Sequence, residues 1–339
     1  MAGGVEDFGI TPEGAAVRRI SISGGGLRAA VLTWGAVVQE LWLDGHDRPL
    51  TLGFERLDDY PDHSIYYGAI VGRYANRIAH GRFILDGERF AAEGNDNGHT
   101  LHGGSRGIDK RNWELAGHGT DSVTLTLRDP DGAMGFPGNL DISCTYRLQP
   151  PGTLAIELSA MTDQPTLCNL AHHSWFNLDD GGAGDILGHR LTIAASAYLP
   201  TDAECIPTGA VLPVDGTEFD FRHARTIRVP EGMRPVEYDH NFCLAAVHRP
   251  LTQAAWVQGA HSGVEMEVWT TEPGLQFFSG NLPPRDVPGL RGIRYGRHAG
   301  LCLEPQVWPD SPNRPYFPQA VLRPGEQYRQ TTEYRFRIV

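Results

Sequence analysis

Hydrophobic and polar residues alternate along many segments of the chain, and this pattern constrains the fold more than any other feature. The alternation is clear in four segments, namely 20–22, 123–127, 154–158 and 264–269. A period of two places every second side chain on the same face, as in a β-strand with one face buried. Helical periodicity is not sustained past about ten residues in any segment. The sequence therefore predicts an all-β, antiparallel protein.

Turn residues separate these segments. Pairs such as Asp86-Gly87 and Asn97-Gly98 are typical of tight turns, and the 41 glycines and 24 prolines are spread along the chain rather than clustered. This distribution favours many short strands over long helices. Because no low-complexity linker interrupts the pattern, we expect one domain spanning residues 1–339.

The charge balance excludes two classes of partner. The 29 basic and 41 acidic residues give a formal net charge of −12, which disfavours binding to nucleic acids and to anionic membranes.

Lys110 is the single lysine, so Schiff-base chemistry would depend on it alone. No apolar run approaches the roughly 20 residues of a membrane-spanning helix, and the N-terminal residues do not resemble a signal peptide. A cytoplasmic protein is expected.

The cysteines predict no disulfide framework and no structural zinc site. The five residues, at positions 144, 168, 205, 243 and 302, are odd in number and form no CxxC pair. The glycine-rich motifs that bind nucleotides are also missing from the sequence. We therefore expect free thiols and no cofactor.

Five segments carry polar residues that strand alternation does not explain: 72–78, 99–104, 169–178, 237–242 and 301–310. Together they contribute Asn76, Arg77, His99, His102, His172, His173, Asp239, His240 and Glu304. Histidines, carboxylates and an arginine are the components of a general acid–base site.

Each of these residues has a structural alternative when taken alone. Glu304 ends an apolar strand, where a carboxylate can also pair with an arginine at a sheet edge. His102 and His173 are equally consistent with hydrogen-bonded core histidines, and Asp239 with a turn cap. No HxH or HExxH spacing occurs, so a metal site is not predicted.

Two tryptophans accompany the polar segments. Trp175 lies two residues after His173, and Trp308 lies four residues after Glu304. An aromatic face beside acid and base groups suits a sugar ring, although packing within a β-sandwich core explains either tryptophan as well.

The order of the motifs resembles that of one known family. GRYANRI, LHGG, NLAHHSWFNL, GTEFDFR, YDHNF, GLQFF and LCLEPQVWPD occur in the sequence of motifs typical of the aldose 1-epimerase, or galactose mutarotase, family. The resemblance covers nearly the whole chain.

This resemblance implies a large antiparallel β-sandwich of the galactose mutarotase-like type, which interconverts the α and β anomers of free aldoses such as galactose or glucose. It assigns Glu304 as the general base and His173 as the general acid. Further residues are implied to contact the substrate, namely Asn76, Arg77, His102, Trp175, Asp239 and Gln276. It implies a small-molecule monosaccharide substrate and no metal or cofactor. We expect a monomer or homodimer and no nucleic-acid or membrane partner.

The chain departs from the family pattern beside the proposed acid. The family commonly has Thr-Asn where this chain has Ala171-His172, and tyrosine where it has Trp175. The reaction requires an ionised Glu304 and a protonated His173. Because an ordinary histidine is mostly neutral at pH 7, we expect nearby carboxylates to raise the pKa of His173.

Two rival functions use the same residues. In a glycoside hydrolase, Glu304 and Asp239 would form the catalytic carboxylate pair. In a sugar-binding protein without catalysis, the pocket would bind a sugar without turnover. Assays on free monosaccharides and on glycosides distinguish these possibilities.

Overall fold

The computed structural model describes residues 4–284 and 286–339, and β-strands dominate this part of the chain. The strands are β1 Val5–Ile10, β2 Ala16–Gly24, β3 Leu27–Leu32, β4 Val38–Leu43, β5 Ile70–Val71, β6 Arg77–Ile78, β7 Arg82–Leu85, β8 Glu88–Ala91, β9 Thr100–Leu101, β10 Glu114–His118, β11 Ser122–Asp129, β12 Leu140–Gln149, β13 Thr153–Thr162, β14 Thr166–Leu167, β15 Ala171–His172, β16 Arg190–Ile193, β17 Ala197–Tyr198, β18 Leu212–Pro213, β19 Arg225–Thr226, β20 Asp239–Cys243, β21 Thr252–Gln258, β22 Val264–Thr270, β23 Gly274–Phe278, β24 Cys302–Gln306, β25 Val321–Leu322 and β26 Tyr328–Ile338.

Helical structure is short within the described residues. The α-helix α1 covers Asp59–His63. The 3₁₀ segments are Ala79–Gly81, Ile108–Lys110, Ala133–Gly135, Leu290–Gly292 and Ser311–Asn313. Within the same residues, no helix has both the length and the apolar character needed to cross a membrane.

Three larger sheets organise the chain. One has four strands in the order β1-β2-β3-β4, one has nine in the order β10-β11-β12-β13-β26-β22-β21-β16-β19, and one has five in the order β18-β17-β20-β23-β24. Four two-stranded ladders, β14-β25, β15-β5, β6-β9 and β7-β8, complete the set. Neighbouring strands in the larger sheets run antiparallel, which confirms the predicted architecture.

The alternation in the sequence corresponds to burial in these sheets. The four alternating segments lie within β2, β11, β13 and β22. Side chains of β12 alternate regularly between buried and partly exposed positions along its ten residues. Between β7 and β8, Asp86 and Gly87 have φ of +52° and +85°. Both lie in the left-handed region that tight hairpin turns require, so the predicted turn is confirmed.

The hydrophobic core lies between the nine-stranded and five-stranded sheets. Apolar residues of both sheets belong to one buried cluster. The Tyr334 hydroxyl of β26 donates a hydrogen bond of 2.9 Å to the Leu303 carbonyl of β24, which joins the two layers. The Gln330 side-chain amide likewise donates to the Pro305 carbonyl at 3.1 Å. The large antiparallel β-sandwich is therefore confirmed, and it leaves the other face of the five-stranded sheet to carry polar groups.

The cysteines are free thiols, as predicted. The residues are Cys144, Cys168, Cys205, Cys243 and Cys302, and the first two and the last are buried. Burial raises the pKa of the Cys144 thiol to about 12, as expected for an inert thiol in an apolar environment.

Candidate active site

Three polar side chains lie on one face of the five-stranded sheet. Asp239 begins β20, Gln276 lies in β23, and Glu304 lies in β24 directly opposite Gln276. Opposite residues of an antiparallel pair extend from the same face. The Gln276 amide donates a hydrogen bond of 2.7 Å to Asp239 Oδ1. Sheet register therefore brings together residues that are separated in the sequence.

His173 reaches the same face from a different ladder. It follows β15, and its backbone N–H donates to the Ala69 carbonyl at 2.9 Å while its carbonyl accepts the Gly68 N–H at 3.1 Å. Its Nε2 atom lies 3.5 Å from Glu304 Oε2. His173 is 5% exposed and Glu304 is 2% exposed. The two residues thus form a closely spaced, largely dehydrated acid–base pair.

Burial controls the protonation of this pair. Loss of hydration raises the pKa of Glu304 well above its usual value, and Asp239 acts in the same direction. Burial lowers the pKa of His173 to about 4. The predicted rise in the pKa of His173 is therefore wrong in direction. The loss of water dominates, and a backbone hydrogen bond of the ring acts in the opposite direction without offsetting it.

His102 contributes a fixed hydrogen-bond donor. The backbone N–H of Asn76 donates to His102 Nδ1 at 3.1 Å. The neutral ring must therefore carry its hydrogen on Nε2. Burial lowers the pKa of His102 well below 6.5, with His173 acting in the same direction, so the ring is neutral at pH 7. Asn76, whose backbone N–H makes this hydrogen bond, has a left-handed conformation with φ of +66°.

His102, His173 and Glu304 also resemble a set of metal ligands, since their candidate ligand atoms lie within 4.8 Å of one another. A metal ion needs a free lone pair from each ligand. The Nδ1 lone pair of His102 already accepts the Asn76 N–H, and its Nε2 carries the hydrogen. His102 therefore cannot serve as a ligand in this arrangement, and the two remaining groups do not make the three-residue set of a typical zinc site.

Arg77 borders the site between two carboxylates. Its Nε donates to Asp96 Oδ2 at 2.8 Å, and its Nη1 lies 3.7 Å from Asp239 Oδ2. Burial opposes the charge of the guanidinium, but Asp239 and Asp96 outweigh it, so the pKa of Arg77 is raised. Both Arg77 and Asp239 are thereby held in defined positions.

Trp175 lies behind His173 and is 3% exposed. Its ring is stacked with that of His173 at 6.4 Å and 24° between planes. The indole N–H donates to the Ile65 carbonyl at 3.1 Å, and Tyr67 packs against the ring edge-on at 5.2 Å. Trp175 thus supports the histidine from the core, and little of its surface is available to a ligand.

His172 points away from His173, into the core between the sheets. Its Nε2 lies 2.7 Å from the Ser174 hydroxyl, and its ring packs against Tyr146 and Tyr334. Burial lowers its pKa to about 3, and His173 acts in the same direction. The departure from the family pattern therefore adds a neutral core residue rather than a second acid.

Other residues of the polar segments lie outside this pair. His99 accepts the His80 N–H and lies 3.2 Å from Glu204 Oε2. His240 packs on Phe219 at 4.7 Å. Trp308 belongs to a separate apolar cluster. Sharing a segment with a site residue does not bring a side chain into the site. His240, for example, follows Asp239 directly in β20, and successive strand residues face opposite sides of a sheet.

Three residues near the site were missed by the sequence analysis, namely Tyr66, Asp96 and Lys110. Tyr66 contacts both His102 and His173. Lys110 lies over the ring of Tyr66, at 5.5 Å from its centroid. Lys110 could have been singled out because it is the only lysine in the sequence. Tyr66 lies in an apolar segment, and nothing in the sequence marks it as a site residue.

Comparison with known proteins identifies the family of this chain. A family model described as aldose 1-epimerase matches residues 18–335. A galactose mutarotase of Rattus norvegicus is 40% identical over 98% of this chain and 97% of its own length. An aldose 1-epimerase of Escherichia coli is 38% identical over 96% of this chain and 97% of its own length.

Solved structures give the same result for the fold. An aldose epimerase homologue from C. elegans has a TM-score of 0.88 and 30% identity, covering 95% of this chain and 99% of that one. A galactose 1-epimerase from Lactobacillus acidophilus has a TM-score of 0.85 and 27% identity, covering 99% of this chain and 98% of that one. With a family model matching 318 residues, from 18 to 335, the chain belongs to the aldose 1-epimerase family of carbohydrate isomerases.

Proposed function

We propose that this enzyme interconverts the α and β anomers of a free aldose such as galactose or glucose, with Glu304 as general base and His173 as general acid. The observation that carries the assignment is the 3.5 Å separation of Glu304 Oε2 and His173 Nε2 in a buried site. Groups this close can act on the two oxygens bonded to a single anomeric carbon.

Opening the cyclic hemiacetal requires two proton transfers. Glu304 accepts the proton of the C1 hydroxyl, and His173 donates a proton to the ring oxygen as the bond between C1 and that oxygen breaks. The open-chain aldehyde rotates about its C1–C2 bond. The two residues then reverse their roles, so that the ring closes on the other face and the protein returns to its starting state.

The pair needs one proton in total. The form with this proton on His173 and the form with it on Glu304 have the same charge and interconvert by a single proton shift. Burial favours the form in which Glu304 holds the proton, since it raises the pKa of Glu304 and lowers that of His173. The proposed reaction draws on the other form, in which His173 is the acid.

The surrounding residues supply hydrogen bonds for the sugar hydroxyls. His102 Nε2–H is a donor. Gln276 Oε1 is buried and has no hydrogen-bonding partner in the described part of the chain, so it offers an acceptor. Arg77 and Asp239 add one charged donor and one charged acceptor at the edge of the site. Asn76 orients His102 through its backbone. Trp175 supports His173 from behind.

Polarimetry tests this function directly. Freshly dissolved α-D-galactose and α-D-glucose should reach anomeric equilibrium faster with the protein than in buffer. A nitrophenyl galactoside should release no nitrophenol, because a hydrolase but not a mutarotase cleaves a glycosidic bond. Sugar binding without faster mutarotation would overturn the proposal and identify a sugar-binding protein.

The pH dependence of kcat/KM provides a further prediction. The pair is active when Glu304 and His173 share one proton. A second proton, bound by His173, makes the pair inactive, and the pKa of His173 is lowered from 6.5 to about 4. We therefore expect activity to persist as the pH falls through 6.5 and to decline near 4. Circular dichroism at each pH controls for unfolding. An acid limb centred at or above 6.5 would contradict this protonation scheme.

A further inference from the structure

No hydrogen bond to another described residue explains the orientation of His173; its own backbone is the hydrogen-bonding group beside the ring. Its Nδ1 atom is buried and has no hydrogen-bonding partner among the other described residues. A catalytic imidazole is usually oriented by a carboxylate or carbonyl that bonds its second nitrogen. Ring packing must therefore help to keep His173 directed at Glu304, and Trp175 supplies it on one side only.

The backbone of His173 is fixed by the segment that carries Tyr66. Ala69 and Gly68 exchange backbone hydrogen bonds with His173, as described above, and the Ala69 N–H donates to the Tyr66 carbonyl at 3.0 Å. This turn places Tyr66 beside the histidine. Tyr66 has φ of +63°, a left-handed conformation that costs free energy for a bulky aromatic residue.

From this left-handed turn, the ring of Tyr66 packs against both His102 and His173. Its centroid lies 4.5 Å from that of His102 at 61° and 5.4 Å from that of His173 at 35°. The two imidazoles are themselves 5.2 Å apart at 78°. Each ring in this group of three packs against the other two, so Tyr66 restrains the rotation of both imidazoles.

Lys110 packs against the tyrosine in turn. Its ammonium lies 5.5 Å from the Tyr66 ring centroid and 3.9 Å from Asp109 Oδ2. A cation near the face of an aromatic ring is attracted to it. The single lysine of the chain therefore restrains Tyr66.

We propose that Tyr66 is a positioning residue, whose ring fixes the imidazole of His173 in the orientation required for proton transfer. This inference rests on the proposed role of His173 as general acid. Tyr66 packs on His173 where no other residue bonds Nδ1, and it complements the support from Trp175. Its left-handed backbone is retained because it aims the ring at the histidines.

The test compares two substitutions that differ in whether they keep the ring. Tyr66→Phe retains it and should keep kcat within about twofold of the wild type. Tyr66→Leu removes it and should lower kcat roughly 10-fold or more, since small misplacements of a catalytic group have large effects on rate. KM should change little, because the donors and acceptors for the sugar remain.

The pH profile separates positioning from a general loss of packing. Removing the ring admits water to His173, so Tyr66→Leu should move the acid limb from about 4 upward towards 6.5. Charged groups facing this cluster come from several elements: Lys110, Asp109, Asp96, Arg77 and Glu304. Burial raises the pKa of Asp109 to about 7. Asp109 is thus a second group that titrates in this pH range. If the upward shift of the acid limb in Tyr66→Leu comes from His173, it should persist when Asp109 is also replaced by asparagine. Disappearance of the shift in Asp109→Asn would overturn the positioning role of Tyr66.

Two further variants keep the test decisive. Tyr66→Asn suits the left-handed backbone and should fold while losing the same activity. Phe83→Leu removes an aromatic ring from a separate apolar cluster and should lower the melting temperature while leaving kcat and the acid limb unchanged. Wild-type kcat and pH profile in folded Tyr66→Leu and Tyr66→Asn would overturn the inference and leave the proposed function intact. Inactivity of the wild-type protein would instead reject the function.

Discussion

Replacing Glu304 by glutamine is expected to lower kcat for mutarotation on the order of 10³-fold, with a smaller change in KM. Glutamine has nearly the same shape, so the buried position opposite Gln276 remains filled. It cannot accept the proton of the C1 hydroxyl. Polarimetric initial rates over a range of sugar concentrations provide both constants.

Glu272→Gln is the matched control for this substitution. Glu272 is fully buried like Glu304, and burial raises its pKa as well. Its carboxylate lies 3.2 Å from His248, outside the acid–base pair. We expect a kcat close to that of the wild type for Glu272→Gln. Wild-type kcat in Glu304→Gln would remove Glu304 from the role of base.

Replacing His173 by asparagine is expected to lower kcat by about 10²- to 10³-fold. Asparagine keeps a polar side chain but cannot transfer a proton to the ring oxygen. The effect on KM should be smaller, because the contacts proposed for Asp239, Gln276 and Arg77 with the sugar hydroxyls are retained. The double variant with Glu304→Gln should lose little more than either single variant, since the two residues act as a unit.

The neighbouring histidine supplies the control for this second experiment. His172→Asn alters a buried, neutral residue whose ring packs against Tyr146 and Tyr334 in the core. It should change thermal stability but leave kcat close to that of the wild type. Equal losses of kcat in His172→Asn and His173→Asn would show that disruption of the segment, rather than loss of the acid, explains the effect.

The alternating pattern predicted an all-β, antiparallel protein because burial of one face of a sheet imposes a local, repeating pattern, whereas the β-sandwich was implied by the family resemblance. Each of the four alternating segments lies in a strand, and Asp86-Gly87 forms its predicted turn. Pairing between distant strands is not local. The neighbours of β26, for example, are β13 and β22, and alternation alone gives no information about that order.

The candidate site was partly predictable for a related reason. Polar residues interrupting an alternating pattern identified Glu304, His173 and Asp239, and the resemblance to a known family supplied Gln276. The pattern could not reveal that Asp96 restrains Arg77 or that Tyr66 packs on His173, because these contacts join segments that only the folded chain brings together.

The electrostatics of the site depended on the tertiary structure alone. The charge of −12 and the 14 histidines describe the whole chain, whereas the pKa of His173 depends on the water removed from one ring. By itself the sequence determined the strands, the turns and the types of residue available for chemistry, since these follow from local patterns. The folded chain decided which residues meet and how they are protonated, because distance and hydration exist only after distant strands have packed together.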